Sequence, residues 1–320
     1  MKLKGKALFN LMKLTGRDGV PSWAVEDLEV LSIDQLFKRL KKLGISLDEP
    51  AFSLYAENSD HPEELAECFY LDPMSQEECD QIYLLVFELW KRLCKDKFCL
   101  SVFCDTLDRL IEAYDERQEE EGLQEALLFL EDVLDDAFDE GVAGSSLLQE
   151  VSSYSAHDLE SFIVDYAADQ IHSGNTLYAS ELIDSFSPYA LFKRQFEWLK
   201  ASLIALLDED KADAIYRQIL EDLMESDDVD STLRFAEHLV HHGHLKLFLE
   251  VAGYALGQLR TEEEFQFLLL TVSEYYRCLD QDEISSKVLA LLNQRYALPV
   301  TSEFNPQDKD VASLKETLSL

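Results

Sequence analysis

Glycine and proline are scarce in this sequence, with 11 and 7 residues among 320. The alternation of Val, Ile and Thr with polar residues that is typical of β-strands is also rare. Hairpins and sheets depend on the turn geometry that glycine and proline provide. These shortages therefore argue against a β-rich fold and favour helices.

Metal-binding cysteine motifs and long apolar runs are also missing. The six cysteines include no C-x-x-C pair, and five of them lie between Cys68 and Cys104. We interpret them as thiols packed inside a protein of a reducing compartment. No run of about 18 apolar residues could cross a membrane, and the amino terminus lacks the apolar core of a signal peptide. The sequence predicts a cytoplasmic protein without membrane insertion.

Basic residues are outnumbered by acidic ones, 28 to 64, which gives a formal net charge of −36. Residues 51–150 are the most acidic part, with six lysines and arginines against 27 aspartates and glutamates. Such a charge repels the phosphates of nucleic acids and anionic membrane surfaces. We therefore expect a basic or apolar protein or peptide partner and no binding to nucleic acid. The oligomeric state stays open.

Motifs of enzymes and cofactor sites are not found either. The sequence contains no G-x-x-x-x-G-K-[ST], G-x-G-x-x-G or G-x-S-x-G, and so offers neither a phosphate-binding loop nor a nucleophile elbow. The stretch "AHDL" at 156–159 has a His-Asp pair of the kind used by helical metal-dependent phosphohydrolases, but no further His and Asp in register. We expect no catalysis and no cofactor. A helical metal-dependent hydrolase is kept as a third alternative.

Helix-start signals are abundant instead. In a capping box, a Ser, Thr or Asp side chain and an acidic or amide side chain three residues later accept hydrogen bonds from each other's backbone N–H groups. Such boxes can be read at Ser32, Asp60, Ser75 and Thr261. Apolar positions at helical spacing follow these starts, which predicts an all-α fold.

The sequence predicts four consecutive parts. Residues 1–140 are expected to form an acidic helical bundle, and 141–154, which contain glycine and serine, a linker. Residues 155–296 are expected to form helical repeats, and 297–320 a polar C-terminal tail. The bundle would thus be followed by a separate repeat domain.

An internal repeat is the strongest signal in the second half. The segments "YAADQIHSGNTLYASELIDSF" and "FAEHLVHHGHLKLFLEVAGYA" align with an offset of 69 residues. A third copy, "LKASLIALLDEDKADAIYRQIL", lies halfway between them, so that the turns are 35 and 34 residues apart. This period indicates pairs of antiparallel helices.

Small residues recur around the three turns. They precede each turn at Ala167, Ser202 and Ala236, and alanine follows two turns at Ala179 and Ala214. The period and these small residues resemble the tetratricopeptide family, which implies an α-solenoid of antiparallel helix pairs. HEAT and pentatricopeptide repeats would produce much of the same pattern.

Other positions match or depart from the tetratricopeptide pattern. Trp198 matches the large aromatic residue expected near the start of a unit, whereas Thr232 and Ile163 stand at positions where Trp is expected. Phe248 occupies the position at which the third copy should have a small residue. The repeat is therefore degenerate.

The resemblance implies a partner-binding groove on the concave face, built from the first helix of each pair. The residues expected there are Ile171, His172, Phe196, Leu199, Leu203, Leu206, Glu237, Val240 and His241. The predicted function is a non-catalytic scaffold or adaptor that binds a basic or apolar peptide or partner in this groove. The alternative is an acidic chaperone or secretion adaptor for an exported partner.

Four of the seven histidines lie between His238 and His244. His238 and His242 are four residues apart and could share one face of a helix, which would supply half of a metal site. No Glu-x-x-His motif or nearby carboxylate supplies the other half. We interpret the segment as a junction between two helices, with Gly243 in the left-handed turn. We predict no bound metal, and only His238 and His242 are candidates for one.

Overall fold

A computed structural model describes residues 3–16, 19–71, 73–142, 144–241 and 245–318. These residues contain seventeen α-helices and two short 3₁₀ helices. The β-contact among them is an isolated bridge between Thr261 and Glu303. The predicted all-α fold class is confirmed. None of the described helices combines the length and apolar character needed to cross a bilayer.

The helices begin and end as follows. In the first half they are α1 (Ala7–Thr15), α2 (Ile33–Lys42), α3 (Glu49–Glu57), α4 (Pro62–Glu67), α5 (Gln76–Leu93), α6 (Leu100–Arg117), α7 (Leu123–Asp139) and α8 (Gly144–Ser152). In the second half they are α9 (Leu159–His172), α10 (Thr176–Phe186), α11 (Lys193–Ala205), α12 (Glu209–Ser226), α13 (Val229–His241), α14 (Leu245–Gln258), α15 (Glu262–Cys278), α16 (Asp282–Arg295) and α17 (Lys309–Leu318). The 3₁₀ helices are Ser22–Ala24 and Leu28–Val30.

Three of the four predicted capping boxes are formed. They start α2 at Ser32, α5 at Ser75 and α15 at Thr261. At the fourth, the N-cap is His61 instead of Asp60, because Pro62 takes the first helical position. Proline suits that position, since its missing N–H group would have no partner within the helix.

The chain forms two compact units. Unit 1 consists of Met1–Tyr166 and Asp184–Lys193, and unit 2 of Ala167–Ile183 and Arg194–Leu320. The division falls within α9 and α10 and not in the segment 141–154 that was predicted as a linker. Much of that segment is α8, because Leu147, Leu148 and Val151 recur at helical spacing and are buried.

Helix α5 lies at the centre of unit 1. Residues 82–90 of this helix are all buried, and the helix contacts α2, α4 and both 3₁₀ helices. A helix that is surrounded on every side must be apolar nearly all round. The one charged side chain in this stretch, Glu88, is compensated by Arg92 at 2.6 Å.

Asp105 of α6 is a buried carboxylate in unit 1, with 2% of the residue exposed. The amines of Lys6 and Lys91 each lie 2.9 Å from one of its oxygens. Burial alone would raise the pKa of Asp105, but the two amines outweigh it and lower the pKa to about 2.

We expect the Asp105→Asn variant to be less stable than the wild type at neutral pH and to lose this deficit in acid. The pKa of Asp105 is lower in the folded than in the unfolded chain, where it is about 4. Its stabilising contribution is therefore complete above pH 4 and is lost as the pH falls through the folded-state value near 2. The difference in free energy of unfolding should shrink by about 2 kcal/mol over this window.

Urea unfolding of both proteins at pH 7, 4 and 3, and at the lowest pH at which both fold, measures this difference. The exposed Asp96 of the turn between α5 and α6 provides the control, because Asp96→Asn removes a carboxylate that is not buried. A deficit of Asp105→Asn that stays constant from pH 7 to the lowest pH would contradict the assignment.

Helix pairs pack against one another in unit 2. Helix α13 contacts α14 and α15, α14 contacts α12 and α15, and α15 contacts α16. The hairpins α13–α14 and α15–α16 therefore lie side by side, as consecutive repeats do.

The first and third copies of the repeat meet directly. The Nε2 atom of His172 lies 3.0 Å from the carbonyl oxygen of His241, although the two residues are equivalent positions of these copies. Two interhelical spacings of a regular stack would separate such positions by about 16–20 Å. The ends of α9 and α13 therefore converge, and a regular three-copy solenoid is not confirmed.

The C-terminal segment packs into the core of unit 2, in contrast to the polar tail predicted for residues 297–320. The side chains of Phe304, Val311, Leu314 and Leu318 are buried there. The last three lie at the spacing of one helix face. They form the inner side of α17.

Candidate protein-binding surface

Most apolar residues of the predicted groove are buried in unit 2. Ile171, Phe196, Leu199 and Val240 each expose less than a tenth of their surface. They offer a partner little area, because protein interiors are close-packed. Of the other five, Leu203 and Glu237 are half-buried, and His172, Leu206 and His241 are exposed.

The structure brings His172 and His241 together. The Nδ1 and Nε2 atoms of His172 lie 2.9 Å and 3.0 Å from the carbonyl oxygens of Ala168 and His241. The Nε2 atom of His241 lies 3.4 Å from a carboxylate oxygen of Glu274. Both ring nitrogens of His172 thus contact main-chain oxygens at helix ends, which is typical of a residue that joins helices.

His238 lies in a polar cluster between α11, α12 and α13. Its Nε2 atom is 3.1 Å from the hydroxyl of Ser202 and 3.4 Å from that of Tyr216. Burial raises the pKa of Tyr216, so its hydroxyl stays neutral. No group of three or more His, Cys, Asp and Glu side chains suited to a metal ion is found among the described residues. The other candidate, His242, lies outside them.

Unit 1 carries a cluster of exposed apolar side chains at the start of α6 and along α7. Phe98, Leu128 and Phe129 are 58%, 58% and 42% exposed. The ring centroid of Phe129 is 5.4 Å from that of Phe98 and 5.1 Å from that of the half-buried Phe103. We call Phe98, Phe103, Leu128 and Phe129 the aromatic surface.

Lys97 fixes the turn that presents Phe98. Its amine lies within 3.2 Å of three main-chain carbonyl oxygens, two in the last turn of α3, where the helix dipole is negative, and one, that of Ser59, just after the helix. The same amine lies 5.7 Å from the ring centroid of Trp90. The Lys97 amine is held at the end of α3 and Cys99 is the buried N-cap of α6, whereas Phe98 between them is exposed to solvent.

Helix α7 has apolar residues on two sides. Its buried side consists of Leu123, Leu127, Leu130 and Leu134. These residues recur at the spacing that packs one face of a helix against a core. Leu128 and Phe129 lie outside this stripe, which is the signal in the sequence that could have located the aromatic surface.

Carboxylates flank the aromatic surface along α7. Glu125 lies one turn before Leu128 and Phe129, Asp132 one turn after them, and Asp136 a further turn on. With about 3.6 residues per turn, all five residues share one side of the helix. The three acidic residues are exposed. They form no ion pair within the described part of the chain, so their charge is available to a partner.

The arrangement suits protein binding. Exposed apolar side chains that lie together within a polar rim are typical of interaction sites. Burying one aromatic side chain contributes about 1.5–3 kcal/mol. Carboxylates at the rim accelerate association with basic partners and disfavour acidic ones.

Comparison with protein-family models, with curated proteins and with solved structures gives no match to this chain. The tetratricopeptide resemblance therefore depends on the period and the small residues of the sequence alone.

Proposed function

We propose that the protein is a non-catalytic adaptor that binds a basic or apolar protein partner on the aromatic surface of unit 1. The observation that supports this proposal is that the exposed Leu128 and Phe129 lie on the same side of α7 as three carboxylates without ion pairs, with the exposed ring of Phe98 beside Phe129. The proposal does not require the groove predicted for unit 2.

Apolar contact and charge have separate roles in this proposal. Phe98 and Phe129 are large side chains with few rotatable bonds, so they bury much area for a small loss of entropy. They would supply most of the affinity. The carboxylates of α7 lie at the rim, where ion pairs contribute little affinity but select the charge of the partner.

We expect a Phe129→Ser variant to bind a basic apolar peptide about 10- to 100-fold more weakly than the wild type. This range corresponds to losing the burial of one phenylalanine side chain. A fluorescein-labelled peptide of alternating lysine and leucine blocks is the probe, and fluorescence anisotropy measures its dissociation constant. A glutamate and leucine peptide of the same length is expected not to bind.

Phe138→Ser is the matched control, because Phe138 is an exposed phenylalanine of the same helix that lies outside the aromatic surface. It should retain the affinity of the wild type. Circular dichroism should show the same helix content in all three proteins. Equal affinities of the wild type and Phe129→Ser, or no binding of the basic peptide, would contradict the proposed function.

A further inference from the structure

We infer that the partner presents an amphipathic α-helix to the aromatic surface. On this helix, two adjacent apolar residues lie between basic residues. One basic residue lies about one turn before the apolar pair, and two more lie about one and two turns after it. The inference rests on the proposed function, which fixes the location of the surface, and adds the conformation and register of what binds there.

The spacing of acidic and apolar residues along α7 determines what a partner helix must present. A helix rises about 1.5 Å per residue, which places the Cα atoms of Glu125 and Asp132 about 10 Å apart along the axis, and those of Asp132 and Asp136 about 6 Å apart. Leu128 and Phe129 lie between the first two acidic residues. The side of α7 that faces solvent therefore reads acidic, apolar, acidic, acidic at intervals of one turn.

A second helix has the same rise and the same turn. When two helices pack at a small crossing angle, their side chains meet at matching intervals over several turns. A partner helix beside α7 would therefore need basic residues at positions i, i+7 and i+11, and apolar residues at i+3 and i+4. For an antiparallel partner the same order is read from its other end.

Part of the aromatic surface comes from outside α7. Phe98 comes from the turn before α6, and its ring is 5.4 Å from that of Phe129. The apolar area is thus wider than one helix stripe. It can cover the apolar face of a helix, in the manner of helix-in-groove recognition.

An extended peptide fits this surface less well. Strand addition requires a sheet edge with free N–H and C=O groups, and the part of the chain that the structure describes contains only the isolated bridge of unit 2. On the aromatic surface an extended peptide would meet side chains alone. Its backbone would gain no hydrogen bonds that water does not already supply.

The test compares three labelled peptides of identical composition with the full chain. The matched peptide is alanine-rich and places lysines and leucines at the intervals given above. The shifted peptide moves the two leucines to the opposite helix face, and circular dichroism confirms that both are equally helical. The third peptide carries the same residues with D-amino acids at alternate positions, which prevents helix formation. Fluorescence anisotropy gives the dissociation constants.

The matched peptide should bind about five- to tenfold more tightly than the other two. The advantage over the shifted peptide should be lost in the Asp132→Asn/Asp136→Asn double variant, because two rim ion pairs each contribute a small factor. The control is Glu221→Gln/Glu225→Gln, which neutralises another exposed acidic pair one turn apart, on α12 of unit 2. This control variant should still bind the matched peptide more tightly than the shifted one.

The remaining outcomes separate the inference from the proposed function. If all three peptides bind with equal affinity and Phe129→Ser lowers the affinity for each of them, the helical register is wrong while the proposed function stands. If the advantage of the matched over the shifted peptide persists in the Asp132→Asn/Asp136→Asn variant, the charge register is wrong. If no peptide binds, or if Phe129→Ser changes none of the affinities, the proposed function fails as well.

Discussion

The Arg295→Met variant is expected to lose about 3–5 kcal/mol of the free energy of unfolding, because it breaks a buried ion pair from one side. Only 4% of Arg295 is exposed. Two of its guanidinium nitrogens lie 2.8 Å and 2.6 Å from the oxygens of Glu262, and a third lies 3.2 Å and 3.0 Å from Asp308 and Asp310. The guanidinium also lies 4.7 Å from the ring centroid of Phe265.

The large effect follows from what the substitution leaves behind. Glu262 is 2% exposed and would remain as a buried carboxylate without a counter-charge. The ion pair joins α15 to the end of α16, and the contacts with Asp308 and Asp310 tie the C-terminal segment to the same point. Urea unfolding at neutral pH measures the loss.

Two further variants test this explanation. Arg260→Met removes an exposed pair, in which the guanidinium lies 3.3 Å from Asp227, and should change the free energy of unfolding by less than about 1 kcal/mol. The double variant Arg295→Met/Glu262→Gln should be more stable than Arg295→Met alone, because it also removes the uncompensated charge. If the double variant were the less stable of the two, the loss would have to come from packing instead.

The parts of the fold that the sequence predicted depend on neighbours within one or two turns. The capping boxes at Ser32, Ser75 and Thr261 are confirmed because each needs only a partner three residues away. The packed C-terminal segment was missed because much of the core of unit 2 that it covers comes from residues far earlier in the chain. Nothing in the local pattern of residues 297–320 indicates that Arg295 and Glu262 form a buried pair beside them.

The complete aromatic surface could not be predicted for a related reason, although the spacing of apolar residues in α7 sets Leu128 and Phe129 apart from the buried stripe. Phe98 and Phe129 are separated by an entire helix, and only the fold brings their rings together. Periodicity assigns apolar residues to the core by default, which is correct for Leu127 but not for Leu128. The opposite error occurs in the predicted groove, where Phe196 and Leu199 were expected to face a partner but are buried. Spacing alone does not separate an apolar residue that faces a partner from one that faces the interior.

The Phe248→Ala variant is expected to lose about 3–5 kcal/mol of the free energy of unfolding. Phe248 of α14 is fully buried, and its ring is stacked on that of Tyr275 of α15 with 4.3 Å between the centroids. The tetratricopeptide pattern requires a small residue at this position so that helices can approach closely. In this chain the aromatic ring fills the space between the two helices, so alanine would leave a cavity.

The sign of this change decides between two ways in which α14 and α15 could pack. If the helices approach as in a regular repeat, alanine should fit better than phenylalanine, and the variant should be as stable as the wild type or more so. If the ring holds them apart, the variant should unfold at a lower urea concentration, whereas Leu207→Ala, at a position that is 91% exposed, should stay within about 0.5 kcal/mol of the wild type. We expect the variant to be less stable than the wild type. The rings of Phe248 and Tyr275 together fill the space between α14 and α15, which the helix backbones would occupy if residue 248 were small.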